Sequence, residues 1–187
     1  MSFGKLLLFT VPLMILAGLA NSRPSFGFTA GTLCPVDSDS RGFHDPAPVY
    51  SLHVYIPVTS SIEIELSGSF SKHGGEWIHD DWAFIYYDYG TRLVTYSTGV
   101  RVNTGGFFGN ISVGGSHWMY RRECVEDWDA GPRDWGREWT DDKFMIRLGG
   151  GIELGQHAEL NLNAVSFDLD EIWLQAGIGL RLKVGQK

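Results

Sequence analysis

The segment that decides the fold is Lys143–Phe167, which reads KFMIRLGGGIELGQHAELNLNAVSF. Apolar side chains alternate with polar residues or glycine on both sides of Gly155-Gln156-His157. A period of two on either side of a tight turn predicts two antiparallel β-strands. The apolar face of such a hairpin packs inward in a soluble barrel and faces lipid in a membrane barrel. Which face is the inside therefore decides the class of protein.

The N-terminus has the pattern of an export signal. Lys5 precedes the apolar run Leu6–Leu19, and the small residues Ala20 and Ser22 follow it. The run is shorter than the ~20 residues of a membrane-spanning helix, so residues 1–22 are predicted to be a cleaved signal peptide and residues 23–187 one domain. The 22 acidic residues outnumber the 15 basic ones, one of which is Lys5, so the mature chain carries a net charge near −8. Such a chain is a poor partner for nucleic acid.

Eight segments of the mature chain have the composition and alternation of strands. Most are longer than the usual strand of ~5–6 residues and match the ~9–11 residues that cross a bilayer at a tilt. They are Phe26–Pro35, Val49–Val58, Ile62–Ser71, Thr91–Asn103, Phe107–Arg121, Lys143–Leu154, Ala158–Phe167 and Ile172–Val184. No segment after Leu19 has a helical period, so the class is all-β.

The connections between these segments alternate in length. Three-residue turns are predicted at Thr59-Ser60-Ser61, Thr104-Gly105-Gly106 and Gly155-Gln156-His157, and most of the other connections are longer, notably Lys72–Gly90 and Arg122–Asp142. Short periplasmic turns, longer extracellular loops and an even strand number are typical of bacterial outer-membrane barrels. An eight-stranded barrel has a lumen just wide enough for side chains, which suits the glycine-rich and polar face. The apolar face is therefore predicted to face lipid.

The inward face would then carry a cluster of charges near the short-turn end. Four acids and three bases lie at similar depth, and one further arginine lies higher in the lumen. The predicted lumen network is Glu63, Glu65, Arg101, Arg147, Glu153, Glu159, Arg181 and Lys183. Strand adjacency predicts that Glu63 or Glu65 pairs with Arg101, and Glu159 with Arg181 or Lys183, because unpaired buried charges are costly. A salt-bridged plug is a better interpretation than an ion path in so narrow a lumen.

On these features the chain resembles the small eight-stranded outer-membrane barrels of the OmpA/OmpX type. The final strand contains Gln175, Gly177, Leu180 and Leu182 in the spacing of that group's assembly signal, although Val184-Gly185-Gln186-Lys187 replaces its usual terminal aromatic residue. The resemblance implies an eight-stranded antiparallel up-and-down barrel in the outer membrane of a Gram-negative bacterium. It also implies contact with lipid, lipopolysaccharide and the barrel assembly machinery. Aromatic residues near the predicted long-loop end would form a girdle at headgroup level or pack in loops or the core: Trp118, Tyr120, Trp173, Tyr86, Tyr87 and Tyr89.

The predicted third loop is the best candidate for an interaction surface. Trp128, Trp135 and Trp139 lie there among acidic and arginine residues, a composition that suits either a contact surface or a loop held rigid by its own rings. Cys34 and Cys124 both lie toward the long-loop end, and exported proteins form disulfides, so one bond is possible across the barrel mouth.

The sequence predicts a structural, adhesive or surface-interaction role through the loops, with no catalytic residues, cofactor or metal site. Two alternatives stay open. A secreted lipocalin-like barrel would bury its apolar faces around an apolar ligand. A lipid A-modifying barrel enzyme would depend on His79 or His117, although no recognisable nucleophile and base spacing accompanies them.

Overall fold

The computed structural model describes residues 23–36, 45–74, 77–80, 85–127 and 137–183, with backbone alone for 77–80, 85–89, 122–127, 137 and 183. Nine strands cover this part of the chain. They are β1 Ser25–Pro35, β2 Ala47–Pro57, β3 Ile62–His73, β4 Trp77–Asp80, β5 Ile85–Asn103, β6 Phe107–Asp127, β7 Arg137–Leu154, β8 Ala158–Phe167 and β9 Glu171–Lys183. No helix among the described residues is long and apolar enough to cross a membrane. The predicted signal peptide lies outside the described residues.

Eight of these strands close into an antiparallel barrel. Each pairs with the next along the chain, except that β3 pairs with β5, and β1 pairs with β9 to complete the ring. The short β4 pairs with β5 alone and extends the wall at one end. The three predicted short turns lie together at the opposite end. There, Gly105 and Gly155 adopt positive φ angles of 63° and 74°, which the left-handed turn conformation requires. The predicted eight-stranded up-and-down barrel is confirmed.

The apolar face points outward along the strands, which answers the question raised by the opening segment. Leu148 is 60% exposed and Leu162 59%, whereas the alternate residues Arg147 and Asn163 are both 5% exposed. The same division holds on β9, where Leu180 is 57% exposed and Arg181 only 7%. A continuous exposed apolar wall suits lipid and would be insoluble in water, so the barrel spans a membrane. The lipocalin-like alternative is wrong, because it required these side chains to be inside.

Three strands are each six residues longer than the sequence predicted. β5, β6 and β7 contain 19, 21 and 18 residues, and their extra length lies at the long-loop end. Parts of the predicted loops Lys72–Gly90 and Arg122–Asp142 are therefore strand, and β4 was missed. Thus one side of the barrel wall rises well beyond the level at which β1, β2 and β3 end.

Inward glycines allow close approach between neighbouring strands. A Cβ atom added at Gly114 would lie 1.9 Å from the backbone oxygen of Tyr96, and one at Gly99 would lie 2.2 Å from that of Ile111. The sequence predicted small inward residues because the lumen is narrow. The structure adds a second reason, since the neighbouring backbone itself leaves no room for a side chain at these positions.

Candidate functional site

The lower half of the lumen, at the short-turn end, is organised around Arg101. Its side chain is 1% exposed and donates hydrogen bonds to Glu159 at 2.8 Å and to Glu153 at 3.1 Å. The guanidinium also lies 3.6 Å from the ring centroid of Phe108, a cation–π contact. Because Arg101 is desolvated, these contacts are needed to offset the cost of burying its charge.

A second arginine, Arg181, completes this layer from the opposite wall. It donates hydrogen bonds to Glu63 and, at 2.9 Å, to Ser25, and it lies 4.5 Å from the ring centroid of Tyr55. Glu63 also lies 3.7 Å from Arg101. The two arginines and their carboxylates therefore form one connected network across the barrel.

The third arginine lies higher in the lumen and pairs with a different acid. Arg147 donates hydrogen bonds to Glu65 at 2.6 Å and to Ser67 at 3.1 Å. His53 Nδ1 lies 2.8 Å from the same Glu65 carboxylate. Glu65 is 2% exposed, so it is compensated by two buried partners rather than by solvent.

The structure brings together seven of the eight predicted network residues. Of the eighth, Lys183, it describes the backbone alone. The predicted pairing of Glu63 with Arg101 is present at 3.7 Å, although Arg181 is the nearer partner. The predicted pairing of Glu159 with Arg181 is wrong, because Glu159 pairs with Arg101. In a lumen this narrow an arginine spans the full width, so strand adjacency does not determine its partner.

The polar half of the lumen is filled. The space that these residues line has a volume of about 10 Å³, enough for about one water molecule. The side-chain oxygens of Asn110, Asn161 and Asn163 face this region without a protein hydrogen-bond partner. A bridging water would satisfy them, but the space does not form a continuous path for ions.

The upper half of the lumen contains an apolar core that the sequence analysis missed. Trp118 and Trp173 are both 0% exposed, and their ring centroids lie 5.7 Å apart. Around them pack the remaining buried residues of the core: Leu33, Val49, Leu93, Met145, Val165 and Phe167. Continuing the inward alternation into the upper half of each strand would have revealed this core. Of the two interpretations of Trp118 and Trp173, core packing is right and the girdle is wrong.

His73 closes this core from β3. Its ring meets Trp173 edge-on at 5.1 Å between centroids, and its two nitrogens lie 3.2 Å from the Ser71 hydroxyl and 3.0 Å from the Asp45 carbonyl. Burial lowers the pKa of His73, although the hydrogen bond to the Asp45 backbone acts in the opposite direction. The imidazole is therefore stabilised in its neutral form.

Stacked rings lead from this core to the barrel mouth. Tyr120 stacks on Trp118 at 6.0 Å and on Trp139 at 5.2 Å, and Trp139 is 39% exposed. Trp139 belongs to β7 rather than to a loop, which corrects its predicted position. Trp128 and Trp135 lie outside the described residues, so the rest of the predicted interaction surface stays a prediction.

The remaining predicted site residues, apart from Cys124 on β6, lie on β1 and β9, which close the barrel. Gln175 and Gly177 face inward, whereas Leu180 and Leu182 face outward, because side chains alternate along the strand. Their recognition by assembly machinery stays a prediction. Cys34 is a free cysteine on the outer face of β1, so it does not point across the mouth as the predicted disulfide required. The side chain of Cys124 lies outside the description.

Comparison with known proteins supports the architecture. Two structures of Ail, the attachment invasion locus protein of Yersinia pestis, match with a TM-score of 0.53 at 11% identity, over 86% of this chain and 97% of theirs. The fold is that of the small eight-stranded outer-membrane β-barrels. A match to Neisserial surface protein A, at 9% identity and a TM-score of 0.48, extends over 87% of this chain and 97% of that protein. No protein-family model and no curated protein matches the sequence.

Proposed function

We propose that this outer-membrane-type barrel acts as a surface-interaction or adhesion protein through the wall formed by β5, β6 and β7. The observation that supports it most is the contrast between a filled interior and an extended exterior. Charges fill the lower lumen and an aromatic core fills the upper lumen, so passage of solutes is not the role that this interior suits. The long strands β5, β6 and β7 instead extend beyond the lipid-facing band at the long-loop end.

The orientation follows from the general plan of such barrels, in which the short turns lie in the periplasm and the longer segments outside the cell. On that plan, Trp139 lies on the cell surface, with its ring held by the stack on Tyr120. Aromatic rings fixed in advance lose little conformational entropy on binding and are frequent in contact surfaces. The partners that we propose are outer-membrane lipid and lipopolysaccharide, the assembly machinery, and a surface ligand at this wall.

Ail gives a reason to test adhesion first. That protein is named for attachment and invasion, and one of its structures is a complex with the heparin analogue sucrose octasulfate. At 11% identity the likeness concerns the fold, so an adhesive role for the present chain is our proposal. We also propose that the barrel performs no chemistry. Unchanged lipid A on expression would support this part, and a lipid A change abolished by His79→Ala or by His117→Ala would contradict it.

The test uses the full chain, expressed with its own leader in a Gram-negative host that adheres poorly to cultured epithelial cells. Unboiled and boiled outer membranes are first compared on a denaturing gel, since a closed barrel changes mobility on boiling. Adherence is then compared among cells carrying the wild type, a Trp139→Ala variant and a variant with residues 128–136 replaced by a Gly-Ser linker. Phe107→Ala is the matched control, because Phe107 is 60% exposed at the opposite end.

We expect the wild type and Phe107→Ala to increase adherence equally and the two surface variants to lose most of the increase. If cells with a correctly folded barrel adhere no better than cells without it, the adhesive role is wrong. If Trp139→Ala and the linker variant both adhere as well as the wild type, neither the wall at Trp139 nor the connection between β6 and β7 is the contact surface.

A further inference from the structure

The outer wall carries a concave site at the long-loop end, where β3, β5, β6 and β7 leave the apolar band. The cavity has a volume of about 380 Å³, and most of its lining side chains alternate on the outward face. Two of them, Lys72 and Arg92, lie two residues beyond the outward apolar residues Phe70 and Val94. The cavity therefore begins at the level where the lipid-facing surface ends.

Lys72 and Arg92 lie directly opposite each other in the β3–β5 ladder, and both are exposed. Like charges in directly opposite positions destabilise a sheet. No ion pair within the described part of the chain involves either residue. This basic pair occurs in a chain of net charge −7, so it is not a consequence of overall composition.

Two other basic side chains of the cavity each lie beside a carboxylate residue. Arg121 lies opposite Glu138 in the β6–β7 ladder, and His117 Nδ1 lies 2.6 Å from Asp142. Among the described side chains of the cavity, the excess positive charge is therefore concentrated at Lys72 and Arg92. Met119, the cross-strand partner of Arg92, adds an apolar surface beside them.

We propose that this cavity binds the phosphate of a lipid headgroup in the surrounding outer leaflet, with Lys72 and Arg92 as the donors. A phosphate between them would replace like-charge repulsion with two charge-assisted interactions. The acyl chains of the same lipid would lie along Phe70 and Val94, directly below. A lipid suits this site better than a soluble anion, because the charged positions and the apolar wall are continuous on one face of the same strands.

The test measures binding to the refolded full barrel in detergent micelles by native mass spectrometry. The probes are bisphosphorylated lipid A, the same lipid A after removal of its phosphates, and sucrose octasulfate as a soluble anion. The variants are Lys72→Gln, Arg92→Gln and their double substitution. Arg23→Gln is the matched control, because it removes one positive charge at the short-turn end, and Glu138→Gln removes a negative charge from the cavity itself. The boiling-dependent gel shift verifies that each variant is folded.

We expect the wild type and Arg23→Gln to retain bisphosphorylated lipid A and the double variant to bind it about tenfold more weakly or worse, since each charge-assisted hydrogen bond contributes at this level. Glu138→Gln should bind at least as tightly as the wild type. Equal binding of dephosphorylated lipid A would overturn the proposal, as would a double variant no weaker than Arg23→Gln. Tighter binding of sucrose octasulfate than of lipid A would show that the site takes a soluble anion, and would also refute it.

Discussion

Replacing Arg101 with glutamine tests whether the lumen network holds the barrel together. Arg101 is 1% exposed and is the closest cationic partner of Glu159, which is 4% exposed. Without the guanidinium, the Tyr55 hydroxyl, 3.4 Å away, would be the one remaining hydrogen-bond partner of the Glu159 carboxylate among the described side chains. Leaving a buried charge without its partner costs ~3–5 kcal/mol, so we expect Arg101→Gln to lower the free energy of unfolding by about that amount.

The assay is urea unfolding of the refolded protein in phospholipid vesicles, followed by tryptophan fluorescence and by the fraction that remains unshifted on a gel without boiling. With an m value of about 2 kcal/mol per molar urea, the midpoint should fall by about 2 M. Glu153→Gln is the comparison variant. The side chain of Glu153 is 30% exposed, so its contact with Arg101 is partly solvated and its loss should cost about 1 kcal/mol or less.

A double substitution separates charge from packing. In Arg101→Gln with Glu159→Gln neither buried charge is left alone, so this variant should be more stable than Arg101→Gln by about 2 kcal/mol. If the double variant is as unstable as the single one, the cost comes from lost packing on Phe108 rather than from an unpaired carboxylate. If Arg101→Gln unfolds at the same urea concentration as Glu153→Gln, the network does not contribute as we argue.

Three further outcomes are expected from the same unfolding assay. Trp118→Ala should lower the free energy of unfolding by about 3–5 kcal/mol because the ring is fully buried, whereas Trp139→Ala should lower it by less than about 1 kcal/mol. Equal losses in the two variants would mean that the upper core does not stabilise the barrel. Gly114→Ala should destabilise the barrel by more than about 1 kcal/mol, because the added Cβ would contact the neighbouring backbone. At Gly109 the nearest atom to an added Cβ is 3.9 Å away, so Gly109→Ala should be tolerated. Full tolerance of both substitutions would contradict the close approach of the strands at Gly114. The pKa of His73 is lowered in the folded state, so as the pH falls the unfolded chain takes up the proton first. The free energy of unfolding should therefore decrease as the pH falls below about 6.5, and His73→Gln should lessen this dependence. An identical pH profile for the wild type and His73→Gln would contradict this role of His73.

Alternation along the sequence predicted the strands. The alternating lengths of the connections and the glycine-rich, polar second face then predicted the barrel and the direction of its faces. β8 was predicted at its observed bounds, and β1 differs by one residue. Prediction succeeded here because lipid requires a continuous apolar outer face, which leaves a period of two in every spanning strand. The loop-side ends of β5, β6 and β7 carry charged and aromatic residues at adjacent positions, so the period disappears where the wall leaves the lipid.

The partners within the lumen could not be predicted by the same reasoning. Register places Glu63 opposite Arg101 on neighbouring strands, and the two do lie 3.7 Å apart. Yet the shorter contacts of Arg101 reach β7 and β8, across the barrel. Pairing between opposite walls depends on lumen width and side-chain length, and neither quantity is encoded in local alternation.

The apolar core in the upper lumen explains how the extended wall stays ordered. Lipid cannot contribute to strands that have left the bilayer, so these strands need apolar burial inside the barrel. Trp118, Leu93 and Trp173 provide it at the level where the outward residues change from Val94 to Arg92. At the short-turn end the wall is surrounded by lipid, and there the interior can be polar as long as each charge is paired. The lumen therefore contains paired charges where lipid surrounds the barrel and apolar side chains where the strands leave the lipid. The aromatic core supports the part of β5, β6 and β7 on which we place the contact surface.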